Sequence, residues 1–262
     1  MSMEENEDLS GWLHPGVRQI HRDDVLWVLD KPAGVLSHPN SPRGKAPNAL
    51  LRGTYDFRRE LYRLDVPGNK QRQVYLIHRL DQETSGLILC ALDAEAAVAL
   101  KEALFRQEVK KEYHALLLGS SVPPRGEWVD RLEKVSGRSR ATVSVVRGKP
   151  NAVTHYARLE TFEMQGASLV SLRPETGRTH QLRVQAGSRH HPIAGDERYG
   201  DFTANRFLAT EIGLKRMFLH ARRFELRHPS SGHILKLEVP LPRRLEASIE
   251  KLRELRRSVP RR

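Results

Sequence analysis

Three polar segments interrupt apolar runs, and each carries side chains able to do chemistry. Such interruptions cost stability unless they lie at the surface or act on something. The first runs His78-Arg79-Leu80-Asp81-Gln82-Glu83-Thr84-Ser85-Gly86. A carboxylate between two strands, as Asp81 would be, can serve as a nucleophile or a base. Taken alone, the segment reads first as a turn closed by an Arg–Asp ion pair and second as a catalytic carboxylate. The second segment, Arg173 to Arg183, has a Thr-Gly turn leading into an expected strand over Gln181–Val184. On that strand Gln181 and Arg183 would share one face, either as an exposed polar face or as a basic group aimed at a carboxylate or phosphate. The third, His190 to Gly200, opens on two adjacent histidines. Neighbours on a strand point to opposite faces, so shared metal ligation is not expected, and the segment reads as a structural loop.

The elements that must hold these segments follow from apolar patterning. Val25–Leu29 reads as a buried strand stopped by Asp30-Lys31-Pro32-Ala33-Gly34. Val74–Ile77 and Gly86–Leu92 suit strands, and Asp93 suits the N-cap of a helix over 94–107 with Ala97, Leu100, Leu104 and Phe105 on one side. Strand-like runs follow at Glu112–Leu118, Ala141–Val146, Ala152–Phe162, Ser168–Leu172, Phe218–Leu226 and Ile234–Val239. Between 40 and 73 the chain is rich in Pro and Gly, with a partly helical stretch expected over Ala49–Leu64. That region holds eight Lys/Arg against three acids, and suits either a solvated insertion or an arm that touches phosphates. Leu245, Ile249, Leu252 and Leu255 fall at helical spacing, as a face packed on a sheet would. The spacing predicts an α+β fold with a mostly antiparallel sheet and a few helices.

Composition bounds the function. The 262 residues carry 44 Lys plus Arg against 32 Asp plus Glu, a net charge of +12. Such a balance favours a polyanionic partner, because Lys and Arg neutralise phosphates with release of counterions. The single cysteine, Cys90, excludes an internal disulfide and a Cys-based zinc site. No apolar run reaches a membrane-spanning length and the acidic start is not a signal peptide, so a cytoplasmic protein without membrane contact is expected.

Together HRLDQETSGLIL, KKEYHALLLG, RPETGRTHQLRV and HHPIAGDERYGD resemble the RluA family of pseudouridine synthases, and VLDKPAGVLSHP and FLHARRFELRHPSSG agree. The six segments lie in the family's order over residues 20 to 255. The resemblance implies a pseudouridine-synthase catalytic domain over 21–255, its central sheet flanked by helices with a cleft across the middle. A polar extension (1–20) and a basic tail (256–262) flank it, and the family's N-terminal RNA-binding domain is not expected. It implies isomerisation of uridine in structured RNA, ribosomal RNA slightly ahead of tRNA, by a monomer needing no cofactor and no metal. Asp81 would be the catalytic carboxylate. Arg79 would displace the target base, Tyr113 would stack on the flipped uracil, and Arg183 would pair with Asp81 and keep it ionised. Flipping costs a few kcal/mol, and stacking on an aromatic ring returns about 1–3 kcal/mol. The chain departs from the family at Gln185, where a His is usual. Two other readings are an inactive RNA-binding protein on the same scaffold and a basic hydrolase pairing Asp81 with Glu83.

Overall fold

The computed structural model describes residues 8–41, 47–119, 122–135, 142–163 and 166–257. The chain divides into two compact units, Met1–Val109 with Arg223–Val239, and Lys110–Arg222 with Pro240–Arg262.

In the first unit the apolar run reads as expected. Strand β2 (Leu26–Lys31) pairs antiparallel with β6 (Ser85–Ala91), Leu26 opposite Ala91 and Lys31 opposite Gly86. Leu26 to Leu29 and Leu87 to Ala91 are all buried, so both strands are covered on both faces. Cys90 lies in the middle of β6, fully buried, and burial pushes its thiol pKa up to about 12. Strand β1 (Arg18–Arg22) lines the other edge of β2, with a bulge between Gln19 and His21. Ahead of it a short 3-10 turn (Ser10–Trp12) and the buried Leu9 and Val17 tie down part of the expected extension.

The partly helical stretch expected over Ala49–Leu64 is instead a meander of β3 (Thr54–Asp56), β4 (Leu61–Val66) and β5 (Lys70–Leu76). The reason lies in period-two burial: Tyr62, Leu64 and Val66 point inward, while Asp65 is exposed. The β4–β5 turn needs two residues at positive φ, which Gly68 (80°) and Asn69 (55°) tolerate. Within that region 42–46, with Arg43 and Lys45, lies outside the described residues. Helix α1 (Ala94–Phe105) starts as predicted, the Asp93 carboxylate accepting the Ala96 amide at 2.9 Å. Its inner face is Ala96, Ala97 and Leu100; Phe105 is 89% exposed. Beyond the second unit the chain returns in β12 (Leu219–Arg227), whose Arg223–Arg227 end pairs antiparallel with β13 (Ile234–Glu238).

The second unit is an antiparallel sheet in the order β7 (Lys110–Leu118), β11 (Ala167–Pro174), β10 (Ala152–Phe162), β8 (Arg125–Val135) and β9 (Thr142–Val146). Of the expected 141–146 run, residue 141 lies outside the described residues. Strand β8 carries charges at most positions and was not foreseen; Trp128 and Leu132 are its inward contacts. Helix α4 (Arg243–Arg257) buries Leu245, Ile249 and Leu252 against Leu116, Leu118, Phe162 and Leu169 of the sheet, with Leu255 at the edge. That is the packed face its spacing predicts, each side chain contributing about 1.5–3 kcal/mol of burial. Leu208 and Ile212 of the unforeseen α3 (Phe202–Glu211) and its C-cap complete this core. Asp201 caps α3, accepting the Thr203 and Ala204 amides. Residues 258–262 lie outside the described residues, and with them most of the basic tail.

The strand expected over Gln181–Val184 is wrong. The chain turns at His180, which takes a left-handed conformation (φ 53°), and winds into helix α2 (Gln181–Gly187). The alternation that mimicked a strand arises because the helix is buried all round, its polar members included. Gln181 and Arg183 are two residues apart on a helix, about 200° around it, so they do not share a face.

Candidate active site

The Asp81 segment runs between β5 and β6, and the loop after β2 holds both neighbours of Asp81. On one side, Leu80 exchanges two bonds with Ser37: its amide donates to Ser37 Oγ at 3.0 Å, and that hydroxyl donates to the Leu80 carbonyl at 2.8 Å. On the other, the Gln82 carbonyl accepts from the Gly34 amide (2.8 Å) and from Lys31 Nζ (3.1 Å), and the Gln82 side chain donates through Nε2 to the Gly34 carbonyl (3.0 Å). The Asp81 carbonyl accepts from the Thr84 amide and closes the turn. Asp81 is thus half-buried on a segment fixed on both sides.

Lys31 is fully buried, a costly position for an ammonium group unless hydrogen bonds surround it. They do: Nζ donates to the carbonyls of Pro32 (3.0 Å), Val35 (2.7 Å) and Gln82. The sequence shows the Lys31–Ser37 loop as a strand stop and as part of a resemblance, not as the support of Asp81; an apolar strand that ends on a lysine before Pro-Ala-Gly is the signal available. His78 stays structural, its Nε2 accepting the Leu89 amide at 3.1 Å and its ring packing on Phe224.

Arg79 is exposed, and its Nη1 donates to His38 Nε2 at 3.0 Å. His38 therefore carries its proton on Nδ1, which donates to the Pro39 carbonyl at 2.7 Å.

In the second unit, Tyr113 sits on β7 opposite Leu172 of β11 and is 8% exposed. Lys111 is two residues earlier on the same face of the strand, and burial lowers its ammonium pKa. Glu112 points the other way and accepts from Arg173 at 2.9 Å.

Arg183 projects from α2 and is buried. Its Nε and Nη2 fork onto Asp196, at 2.7 and 2.8 Å. Asp196 also accepts the Arg198 (2.8 Å) and Tyr199 (3.0 Å) amides, so its carboxylate faces four donors. Burial pushes its carboxyl pKa up, but the Arg183 guanidinium and the two amides outweigh burial and hold it below the ordinary value. The Tyr199 ring lies under the Arg183 guanidinium, 5.3 Å from its centroid, and the Tyr199 hydroxyl sits 2.9 Å from His180 Nδ1. Asp196 and Tyr199 come from the third polar segment. It is a structural loop, as read, but its structural task is to fix a candidate site residue. Gly195 lets the loop turn: its φ is 76°, and a Cβ there would run into the Arg216 carbonyl oxygen. The histidines diverge, His191 Nδ1 donating to the Leu118 carbonyl.

Gln185 is fully buried in a polar network that includes the Asp130 carboxylate. It accepts from Thr154 Oγ1 (2.7 Å) and donates to Asp130 Oδ2 (2.8 Å) and the Trp128 carbonyl (3.1 Å). Gln181 extends the network to Thr154, Thr176 and the Val153 carbonyl. A side chain that donates and accepts at once fits position 185 without bringing in charge.

Among the described residues no group of three or more His, Cys, Asp or Glu is placed to hold a metal ion, and no helix is long and apolar enough to cross a membrane.

The family model for RNA pseudouridylate synthase matches residues 25–188. An uncharacterized RNA pseudouridine synthase of Mycobacterium bovis is 35% identical over 241 residues, 91% of this chain and 73% of that protein. Ribosomal large subunit pseudouridine synthase C of Escherichia coli K12 is 34% identical over 248 residues, covering 90% and 70%. Ribosomal large subunit pseudouridine synthase D of Nitrosomonas europaea is 36% identical over 240 residues, covering 90% and 65%. Among solved structures, human RNA pseudouridylate synthase domain containing 4 is 25% identical with a TM-score of 0.63, covering 90% of this chain and 92% of that one. Human RNA pseudouridylate synthase domain containing 1, at 24% identity and a TM-score of 0.64 over 94% and 97%, shares the fold. The chain belongs to the RNA pseudouridylate synthase family, as its RluA-type motifs imply, and is an isomerase that converts uridine in RNA to pseudouridine.

Proposed function

We propose that this protein isomerises uridine in ribosomal RNA, with Asp81 as the catalytic carboxylate. The observation that carries the assignment is the setting of Asp81: a half-buried carboxylate whose two neighbours are both hydrogen-bonded to the Lys31–Ser37 loop. Such fixing holds a reacting group in place before substrate arrives. The names of the relatives from Escherichia coli and Nitrosomonas europaea support ribosomal RNA as the substrate.

The reaction breaks the bond from ribose C1′ to uracil N1 and makes one from C1′ to C5, with no change in composition. The uracil must leave the stack for this. Arg79 is the exposed group on the catalytic segment that fills the space the base vacates. Tyr113 is the ring on which the flipped uracil stacks. Arg183, locked by Asp196 and Tyr199, is the fixed positive charge of the site. Residues 21–255 form the catalytic domain, which acts as a monomer in the cytoplasm.

The test is Asp81→Asn. Isomerisation, read as pseudouridine formed in ribosomal RNA transcripts, should vanish while RNA affinity stays within about twofold, because charge is removed from one side chain only. Full turnover by Asp81→Asn would sink the assignment. Mapping pseudouridines in total RNA from a deletion strain identifies the position; unchanged ribosomal RNA alongside a lost tRNA site would move the substrate to tRNA.

A further inference from the structure

The turn between β3 and β4 joins exposed aromatic and exposed basic groups beside Arg79. His38 and Tyr55 stack face to face, with centroids 4.9 Å apart and planes at 9°. Phe57 stands edge-on against both, at 5.7 Å from His38 and 5.1 Å from Tyr55, and Tyr62 closes the base of the cluster against Tyr55 at 4.8 Å. Phe57 is nevertheless 37% exposed at the tip. The turn is held rigid from below. Asp56 accepts the Arg58 and Arg59 amides, each at 3.0 Å, and binds Arg63 Nη2 at 3.1 Å. Glu60, at a positive φ of 55°, is tied to Lys101 of α1 at 2.8 Å. With Asp56 and Glu60 so engaged, Arg52, Arg58 and Arg59 are exposed and have no side-chain partner among the described residues.

A preorganised, solvent-facing aromatic ring flanked by free guanidinium groups is the combination that binds single-stranded nucleic acid: the ring stacks on any base, and the cations take the phosphates. A protein partner would have to place acidic groups opposite all three guanidinium groups, whereas a nucleic-acid strand brings a phosphate with every nucleotide. His38 is in ring contact with Phe57 and accepts the hydrogen bond of Arg79, so the cluster adjoins the catalytic segment. We propose that Phe57, Arg58 and Arg59 form a subsite for an unpaired nucleotide flanking the target uridine, Phe57 stacking on its base and the two arginines holding its phosphates. This position relative to the target rests on the reading of Arg79 given above; the binding itself does not.

The experiment measures binding without turnover. Fluorescein-labelled oligouridine of twelve nucleotides and a ribose–phosphate twelve-mer lacking bases are titrated against the full chain by anisotropy. Phe57→Ala should weaken oligouridine binding about 5- to 150-fold, Phe57→Trp should restore it, and neither should change affinity for the abasic strand. Arg58→Ala with Arg59→Ala should weaken both strands and reduce the slope of log affinity against log salt by about 1.4, roughly 0.7 per charge on a single strand. Wild-type oligouridine affinity in Phe57→Ala, or an equal loss on both strands, overturns the subsite. The titrations are repeated on Asp81→Asn protein. Persistence of the Phe57 dependence there supports the subsite whatever becomes of the isomerase assignment, and turnover by Asp81→Asn counts against that assignment alone.

Discussion

Replacing Asp196 with Asn removes a charge and tests how Arg183 is held. Oδ1 of Asp196 accepts from Arg183 Nη2, Arg198 N and Tyr199 N, and Oδ2 accepts from Arg183 Nε. Every partner is a donor. An Asn amide therefore sets its NH2 against a donor in either flip: against Arg183 in one, against two backbone amides in the other. The residue is 1% exposed, so solvent cannot relieve the clash, and Arg183 loses the carboxylate onto which its Nε and Nη2 fork. Breaking such a pair from one side costs about 3–5 kcal/mol. At about 2–4 °C per kcal/mol for a chain of this size, the melting temperature should fall by about 6–20 °C, read by circular dichroism at fixed pH and salt. Adding Arg183→Met removes the guanidinium donors set against the Asn amide and should return part of the lost stability, while isomerisation does not return, because Arg183 is the proposed fixed charge of the site. Asp196→Asn melting within about 2 °C of wild type, or Arg183→Met lowering it further, would refute the reasoning.

Lys31→Met keeps the length of the buried stem but leaves the Pro32, Val35 and Gln82 carbonyls without that donor. The Gln82 carbonyl keeps the Gly34 amide, so the penalty falls mainly on the buried Val35 carbonyl: stability should drop by about 1–3 kcal/mol, and turnover should fall with KM little changed as the Asp81 segment loosens; wild-type urea midpoint and turnover would contradict this. Acid should destabilise the fold in a defined window. Asp196, Asp23 and Glu112 are all held below their ordinary values, burial being outweighed by hydrogen bonds in each, joined at Asp196 by the Arg183 charge and at Glu112 by the Arg173 charge. Their stabilisation is complete above the unfolded carboxylate range of about 4 and is lost as pH falls through the lower folded values, so unfolding free energy should be level above about pH 5 and decline below about pH 4. Stability that rises on acidification would contradict those pairings.

How far the fold was legible depended on whether burial followed a single period. Strands β2 and β6 and helix α4 each present an apolar run or a clean stripe, and they lie where patterning puts them. Helix α2 misled because burial on all sides erases the helical stripe and leaves an accidental alternation. Strand β8 was hidden by charges on its outer face, and the β3–β5 meander by glycines and prolines that mark its turns rather than a loop. Local chemistry alone ranked Asp81 first as half of a turn ion pair and second as a catalytic carboxylate; the motifs taken together made it the candidate. The groups that fix it did not stand out, because Lys31 and Ser37 act through bonds to the backbone from more than 40 residues away in sequence, as the Ser37–Leu80 separation of 43 shows. Asp196 was likewise hidden, since pairing with Arg183 depends on a turn whose geometry is set by Gly195.

The buried thiol of Cys90 gives the first unit an internal clock. It lies on β6, between β2 and β5, and a maleimide or disulfide reagent can reach it only when those strands part. Its rate of alkylation therefore reports how often the strand that follows the Asp81 segment opens, in the manner of an exchanging amide but with a single, chemically stable readout. Because the chain has no other cysteine, every modified molecule records the same event. RNA that binds the closed protein should slow the labelling in proportion to its occupancy.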